Sequence, residues 1–264
     1  MSDYTPPAPG WLARMPVKKR TSFQMGLAVL GLFVFLWVLS TVLAPLPKPI
    51  GPAAQQFADG ARTTVMLTLV SGLLGGALGI GLGLGKLSAV KALRWPCEFV
   101  VWVVRGTPLL TQILFFYLAL PAIAPELQLS EFWTAVIALS INVAAYNAEV
   151  FRAGVLAVPR GQRMAANALG MRPAQAFISI TLPQAMRVAL PALANNIVAL
   201  LKDSSLAYAI GVVEINMIAQ RVQAESFEPV PVFVATALIY LILTTAMTQF
   251  SGAVEQRMAA GHVH

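Results

Sequence analysis

Residues 158–187 read VPRGQRMAANALGMRPAQAFISITLPQAMR, and the fold turns on how this stretch is read. It carries Arg160, Arg163, Arg172 and Arg187 and no acidic residue, and apolar runs long enough to cross a bilayer flank it. The spacing predicts two short helices. The first, over 161–169, is built from strong helix formers and stops at Gly170, where glycine suits the left-handed conformation that closes a helix end. The second opens near Pro173, whose missing N–H and fixed φ cost nothing at a helix start, and stops or bends at Pro183. Helices this short are marginal alone in water, so they need a surface to pack on.

The surrounding composition gives the class. Of 264 residues, 58% are apolar and 11% are charged, against about 25% charged in soluble domains. An integral membrane protein follows. The net charge of +7 does not argue for nucleic acid, because the basic residues sit at the ends of apolar runs rather than on one face. Cys97 is the single cysteine, which excludes a disulfide framework.

Six spans are expected, forming an all-α integral membrane protein. A cytoplasmic tail at 1–24 precedes a first helix over 25–44. That run is longer than a signal h-region, and Pro45 directly follows its only small-residue site, so it reads as a retained anchor. After a turn-rich outer loop at 46–59, a second helix over 60–85 carries overlapping G-x-x-x-G spacings, which let a neighbouring helix approach closely in lipid. The run GLGLGKLS is no phosphate loop: Ile80 and Leu87 occupy positions where that motif needs Gly and Ser or Thr. A third helix over 95–120 is interrupted by Arg105-Gly106-Thr107-Pro108, either a simple kink near the inner interface with Arg105 snorkelling or a functional element.

The fourth helix, over 132–151, places Asn142, Tyr146 and Glu149 on one face. Polar groups at membrane depth are costly and usually face a cavity or a partner. Glu149 lies close to the inner end, within reach of Arg152 or Arg105. The fifth helix, over 188–205, pairs Asn195 with Lys202 on one face and Asn196 with Asp203 on another. Lys202 and Asp203 are placed to meet a carboxylate and an amine, or each other. An amphipathic segment over 210–223, with Glu214 and Arg221, lies at the outer surface, and a sixth helix runs over 231–251. The tail at 255–264 contains His262 and His264, whose spacing alone makes no metal site. Fourteen of the eighteen Lys and Arg then fall inside, and only Lys48, Arg62, Lys202 and Arg221 outside, the asymmetry of an inner-membrane protein with both termini cytoplasmic.

The central stretch also resembles the coupling loop, or EAA loop, of ABC importer permeases. That pattern is Glu-Ala-Ala, three residues, Gly, nine residues, then Ile-x-Leu-Pro; Ala165, Ala166, Gly170, Ile180, Leu182 and Pro183 match, while Met164 stands in place of Glu. With Met there, docking at this position is expected to be apolar, through Met164 and Ala168. Three further elements are similar to the polar amino-acid (histidine/glutamine-type) branch. They are Arg105-Gly106-Thr107-Pro108-Leu109-Leu110 with Gln112, Glu149 to Gly154 leading into Val158-Pro159-Arg160-Gly161-Gln162, and Lys202-Asp203-Ser204-Ser205-Leu206.

The resemblance covers a permease domain at 60–254 of five helices, with 25–45 as an added front helix. It implies a bacterial plasma-membrane subunit forming half of a pathway for polar amino acids. A second permease, identical or related, would supply the other half. ATPase subunits carrying ATP and magnesium would dock on 158–187, and an extracytoplasmic binding protein would deliver substrate. Arg105, Thr107, Asn142, Tyr146, Glu149, Asn195, Lys202, Asp203 and Ser204 are the candidate pathway residues. No cofactor or metal is expected on this chain itself. The alternative is an ion-coupled secondary amino-acid transporter, which would need buried mid-helix charges, often in inverted repeats; none is evident. A membrane enzyme is disfavoured, since no motif links the few candidate catalytic groups.

Overall fold

The computed structural model describes residues 17–259; Arg14, His262 and His264 lie outside them. Among the described residues all regular structure is helical. The helices are α1 Val17–Leu43, α2 Ala54–Leu87, α3 Lys91–Gly106, α4 Leu109–Ile123, α5 Glu131–Ala157, α6 Arg160–Ala168, α7 Pro173–Ile210, α8 Ile215–Ser226 and α9 Pro229–Ala259. Five of these are long and apolar enough to cross a membrane, and the bent pair α3–α4 meets the same length and composition only when its two helices are taken together.

The glycines of α2 do what close spacing in lipid allows. A Cβ on Gly75, Gly79 or Gly83 would come within 2.7, 3.0 and 3.0 Å of the carbonyl oxygens of Ser140, Ala144 and Ala148 on α5. One stripe of α2 therefore lies backbone-to-backbone on α5. Gly154 repeats the device against the Ala185 carbonyl on α7, 2.7 Å from a built Cβ.

The front helix α1 is integral to the packing. Leu39 and Leu43 share a buried core with Phe57 and Ala61 of α2, Ile215 and Ile218 of α8, and Val232 and Leu243 of α9. At its other end Arg20 Nη2 donates to Gln256 Oε1 at 3.3 Å, and Arg257 Nη1 donates to Ser22 Oγ at 3.3 Å. α1 and α9 are thus antiparallel, and Glu255 of α9 lines the same recess as Gln162 and Pro183 of the 158–187 stretch. Both described chain ends lie at that end of the bundle.

Several expectations need correction. α2 begins at Ala54, not near residue 60. The polar residues read as loop form its outward face, where Asp59 accepts from Gln55 at 3.1 Å and pairs with Arg62 at 2.7 Å, while Phe57 and Ala58 are fully buried. α5 and α9 run on to Ala157 and Ala259, so the expected tail at 255–264 begins as helix. The third span is not kinked but broken, by 110°, between Gly106 and Leu109. The break lies beside Tyr146, near the middle of α5, and not at the inner interface. Nor does the helix stop at Pro183. Residues Phe177–Thr181 form a π turn, and α7 continues through Pro183 and Pro191. The extra residue in a π turn shifts the carbonyls away from the proline ring.

Candidate functional site

Two regions gather the candidate residues. The first is the α6–α7 connection. α6 closes in a Schellman motif: Met171 N–H donates to Ala166 O at 3.1 Å and Gly170 N–H donates to Asn167 O at 3.0 Å, with Gly170 at φ +71°. Ala166 is fully buried beneath α6, while Met164 is 65% exposed and Leu169 80% exposed. Ala165 and Ala168 are exposed as well, so the outer face of α6 is apolar at its centre with Arg160 and Arg163 beside it. Leu182 packs behind the connection with Phe151, Val155, Val158 and Ala185. Ile180 and Pro183 border a recess of about 700 Å³ shared with Gln162, Arg187 and Glu255. The arrangement is a helix–turn–helix whose exposed face is apolar at its centre.

The second region is a cleft of about 380 Å³ at the α3–α4 break, lined by Thr107, Pro108, Asn142, Tyr146, Asn196 and Asp203 among others. Breaking a helix in hydrocarbon frees carbonyls that must be met inside the protein. Gln112 meets them: its Nε2 donates to Val104 O at 2.7 Å, Thr107 O at 3.1 Å and Thr107 Oγ1 at 2.9 Å. Its Oε1 accepts from Asn142 Nδ2 at 3.1 Å, which fixes the amide of Asn142 at the cleft wall. Asn196 Nδ2 donates to Asn147 Oδ1 at 2.8 Å, tying α7 to α5. At the edge, the Arg105 guanidinium stands 5.3 Å from the centre of the Tyr146 ring, a cation–π contact.

Thr107, Asn142, Tyr146 and Asp203 are therefore brought together, with Arg105 at the edge. The other candidates lie elsewhere. Glu149 is held between Lys86 and Arg152, whose Nη2 is 2.9 Å from Oε2. Arg152 was an expected partner, Lys86 was not, and Arg105 goes to Tyr146 instead. Asn195 and Lys202 are exposed and do not border the cleft. Ser204 is buried and donates to Leu201 O at 2.8 Å, so it serves the helix end. Sequence reasoning missed Gln112 as a working residue, although a polar side chain four residues after a membrane proline was the available signal. Glu214 was also read as a surface residue, yet it is fully buried. It caps α8 by accepting from Asn216 N–H and Met217 N–H at 2.8 Å each, and from Tyr240 Oη at 2.9 Å.

Residues 75–260 match the family described as the binding-protein-dependent transport system inner membrane component. The chain belongs to this family. The L-cystine transport system permease protein of Bacillus subtilis is 36% identical over 202 residues, covering 76% of this chain and 86% of its own. The arginine transport system permease protein of the same organism is 35% identical over 200 residues, 76% of this chain and 91% of its own. Among solved structures, an amino acid ABC transporter crystallised with histidines shares 32% identity at a TM-score of 0.73, covering 78% of this chain and 95% of that one. The chain is thus a multi-pass inner-membrane permease subunit of an ABC importer rather than an enzyme, and the ion-coupled alternative is disfavoured. Members of the family work with a substrate-binding protein and a separate ATPase.

Proposed function

We propose that this permease forms one half of a pathway for a polar amino acid, paired with a second permease, identical or related. Separate ATPase subunits, which hold ATP and magnesium, dock on the α6–α7 connection, and an extracytoplasmic binding protein delivers the substrate. The observation that carries the reading is the continuity of α7. This one helix begins three residues after Gly170 at the turn and reaches Asn196 and Asp203 in the cleft. A displacement imposed at the turn is carried along this one helix toward the cleft. The cleft suits a zwitterion: Asp203 offers a carboxylate for the ammonium group, Arg105 a guanidinium for the carboxylate, and Asn142, Asn196 and Thr107 neutral hydrogen-bonding groups between them. The charge asymmetry, together with both described chain ends lying beside the α6–α7 connection, supports cytoplasmic termini.

The test is reconstitution in liposomes. With its ATPase and binding protein the chain should concentrate a polar amino acid only when ATP is supplied. Asp203→Asn should lower uptake while ATPase co-purification is kept. Uptake driven by a sodium or proton gradient in the absence of any ATPase would contradict the proposal.

A further inference from the structure

We infer that the corner where α2, α3 and α5 meet, at the coupling end of the bundle, binds the headgroup of an anionic phospholipid. A recess of about 460 Å³ opens there, lined by Lys86, Ser88, Arg94, Glu98, Arg152 and Leu156. Three cations thus face one acid on the recess wall. Behind it, Glu149 lies between Lys86 and Arg152 and takes up part of their charge. Lys86, Arg94 and Arg152 against Glu98 and Glu149 still leave the corner one charge positive, and α3 opens beside it with no acidic residue in its first turn.

The Arg94 side chain lines the recess and is 37% exposed, with its Nε paired to Glu98 at 3.6 Å, beyond hydrogen-bonding distance. A phosphate oxygen entering the recess would offer this guanidinium a closer, charge-assisted partner. Arg94 also leaves two terminal nitrogens for the same oxygens, a fork that matches phosphate.

The surroundings choose the source of the phosphate. Val90, Leu93, Trp95 and Phe99 stand beside the recess and are 62%, 54%, 62% and 62% exposed. A free phosphate has no use for an apolar border, whereas a lipid sets its acyl chains against one while its headgroup enters the charged recess. Trp95 at that boundary fits the headgroup level of a bilayer. Basic recesses between membrane helices on the cytoplasmic side are a recurrent form of such a site. A bound headgroup would clamp the α2–α3 turn to the foot of α5, just ahead of α6. The proposal leans on the membrane placement above only for which leaflet supplies the lipid.

The experiment uses the full chain, extracted in detergent and incubated with phosphatidylglycerol or phosphatidylcholine of identical acyl chains, with retained lipid counted by native mass spectrometry. The parent should hold phosphatidylglycerol in preference to phosphatidylcholine, and millimolar inorganic phosphate should not displace it. Arg94→Gln should weaken retention of phosphatidylglycerol roughly five-fold, with phosphatidylcholine unchanged. Arg94→Lys should keep most of the preference. Equal retention of the two lipids by the parent would overturn the proposal, whatever the variants do. Displacement by inorganic phosphate, or an Arg94→Gln protein that folds and keeps the full preference, would overturn it as well.

Discussion

Pro108 and Pro183 both sit in apolar helical runs, and the chain treats them oppositely. At Thr107-Pro108 the span breaks by 110°. At Leu182-Pro183 the helix runs through, from Pro173 to Ile210. Both prolines withhold one backbone donor, and both disfavour helical geometry in the residue before them. Thr107 yields to that pressure, with φ −120° and ψ 147°; Leu182 does not, with φ −61° and ψ −45°. The difference lies upstream. Before Pro183 the π turn Phe177–Thr181 lets the Leu182 N–H donate to Phe177 O, so the chain is already widened where the ring must fit. Before Pro108 stands Gly106, with no π turn and no side chain to hold the α3 end in line. At the break Gln112 meets freed carbonyls at Val104 and Thr107, whereas beside Pro183 Gln184 bonds back to Ile180 O at 3.0 Å. A proline therefore announces a missing donor, and its neighbours decide whether the helix bends.

The largest effect should come from the amide that holds the broken span. Gln112→Leu removes the donor from two carbonyls and a hydroxyl and releases Asn142, at a cost of about 1–3 kcal/mol. Thermal unfolding in detergent should move to lower temperature, and uptake should fall to background while the chain still reaches the membrane. Parent-like uptake would mean that the break does not depend on Gln112.

Glu214 inverts the same logic, since there it is donors at a helix start that need an acceptor. Burial pushes its carboxyl from the ordinary 4.5 up to about 7, while the hydrogen bonds from Asn216, Met217 and Tyr240 pull the other way. The folded state therefore binds the proton more tightly than the unfolded chain. Stability from this group is highest when it is protonated, falls as pH rises from about 4.5 to about 7, and is level above. Across that window the change should be up to about 3 kcal/mol, and Glu214→Gln should flatten it. An unchanged slope in the variant would assign the titration elsewhere.

The smallest effect sharpens the contrast. Pro183→Ala should alter stability by no more than about 0.5 kcal/mol, because the π turn upstream already carries the accommodation. A large loss would show that the proline itself shapes α7.

Much of this was legible in the sequence, for identifiable reasons. Short-range spacing places residues on helix faces, so the G-x-x-x-G stripe of α2, the shared face of Asn142 and Tyr146, and the left-handed turn at Gly170 were all readable. Pairings across the fold were not. Lys86 meets Glu149 across 63 residues and Asn147 meets Asn196 across 49, and no local period links them. Depth was misread for a related reason. An arginine beside Gly-Thr-Pro looks interfacial by charge alone, yet the ring of Tyr146, supplied by another helix, hosts Arg105 near the middle of α5. The start of α2 was hidden because Gln55, Asp59 and Arg62 read as loop by composition, while their mutual bonds make a helix face.

The central claim is that force enters this subunit at the α6–α7 turn, and Gly170 tests it most directly. Its φ of +71° is the left-handed region, and a Cβ there would meet nothing within 4 Å. Any substitution therefore acts through the backbone alone, costing about 1–2 kcal/mol and more for a β-branched residue. That cost is too small to unfold the bundle and large enough to redirect α6 relative to α7. Membrane level, ATPase co-purification and ATP-driven uptake should be measured together for Gly170→Val and Gly170→Asn. The account predicts that Gly170→Val reaches the membrane like the parent but loses ATPase binding and uptake together, while Gly170→Asn, which tolerates the left-handed region, keeps part of both. A Gly170→Val protein that binds the ATPase and transports like the parent would contradict it.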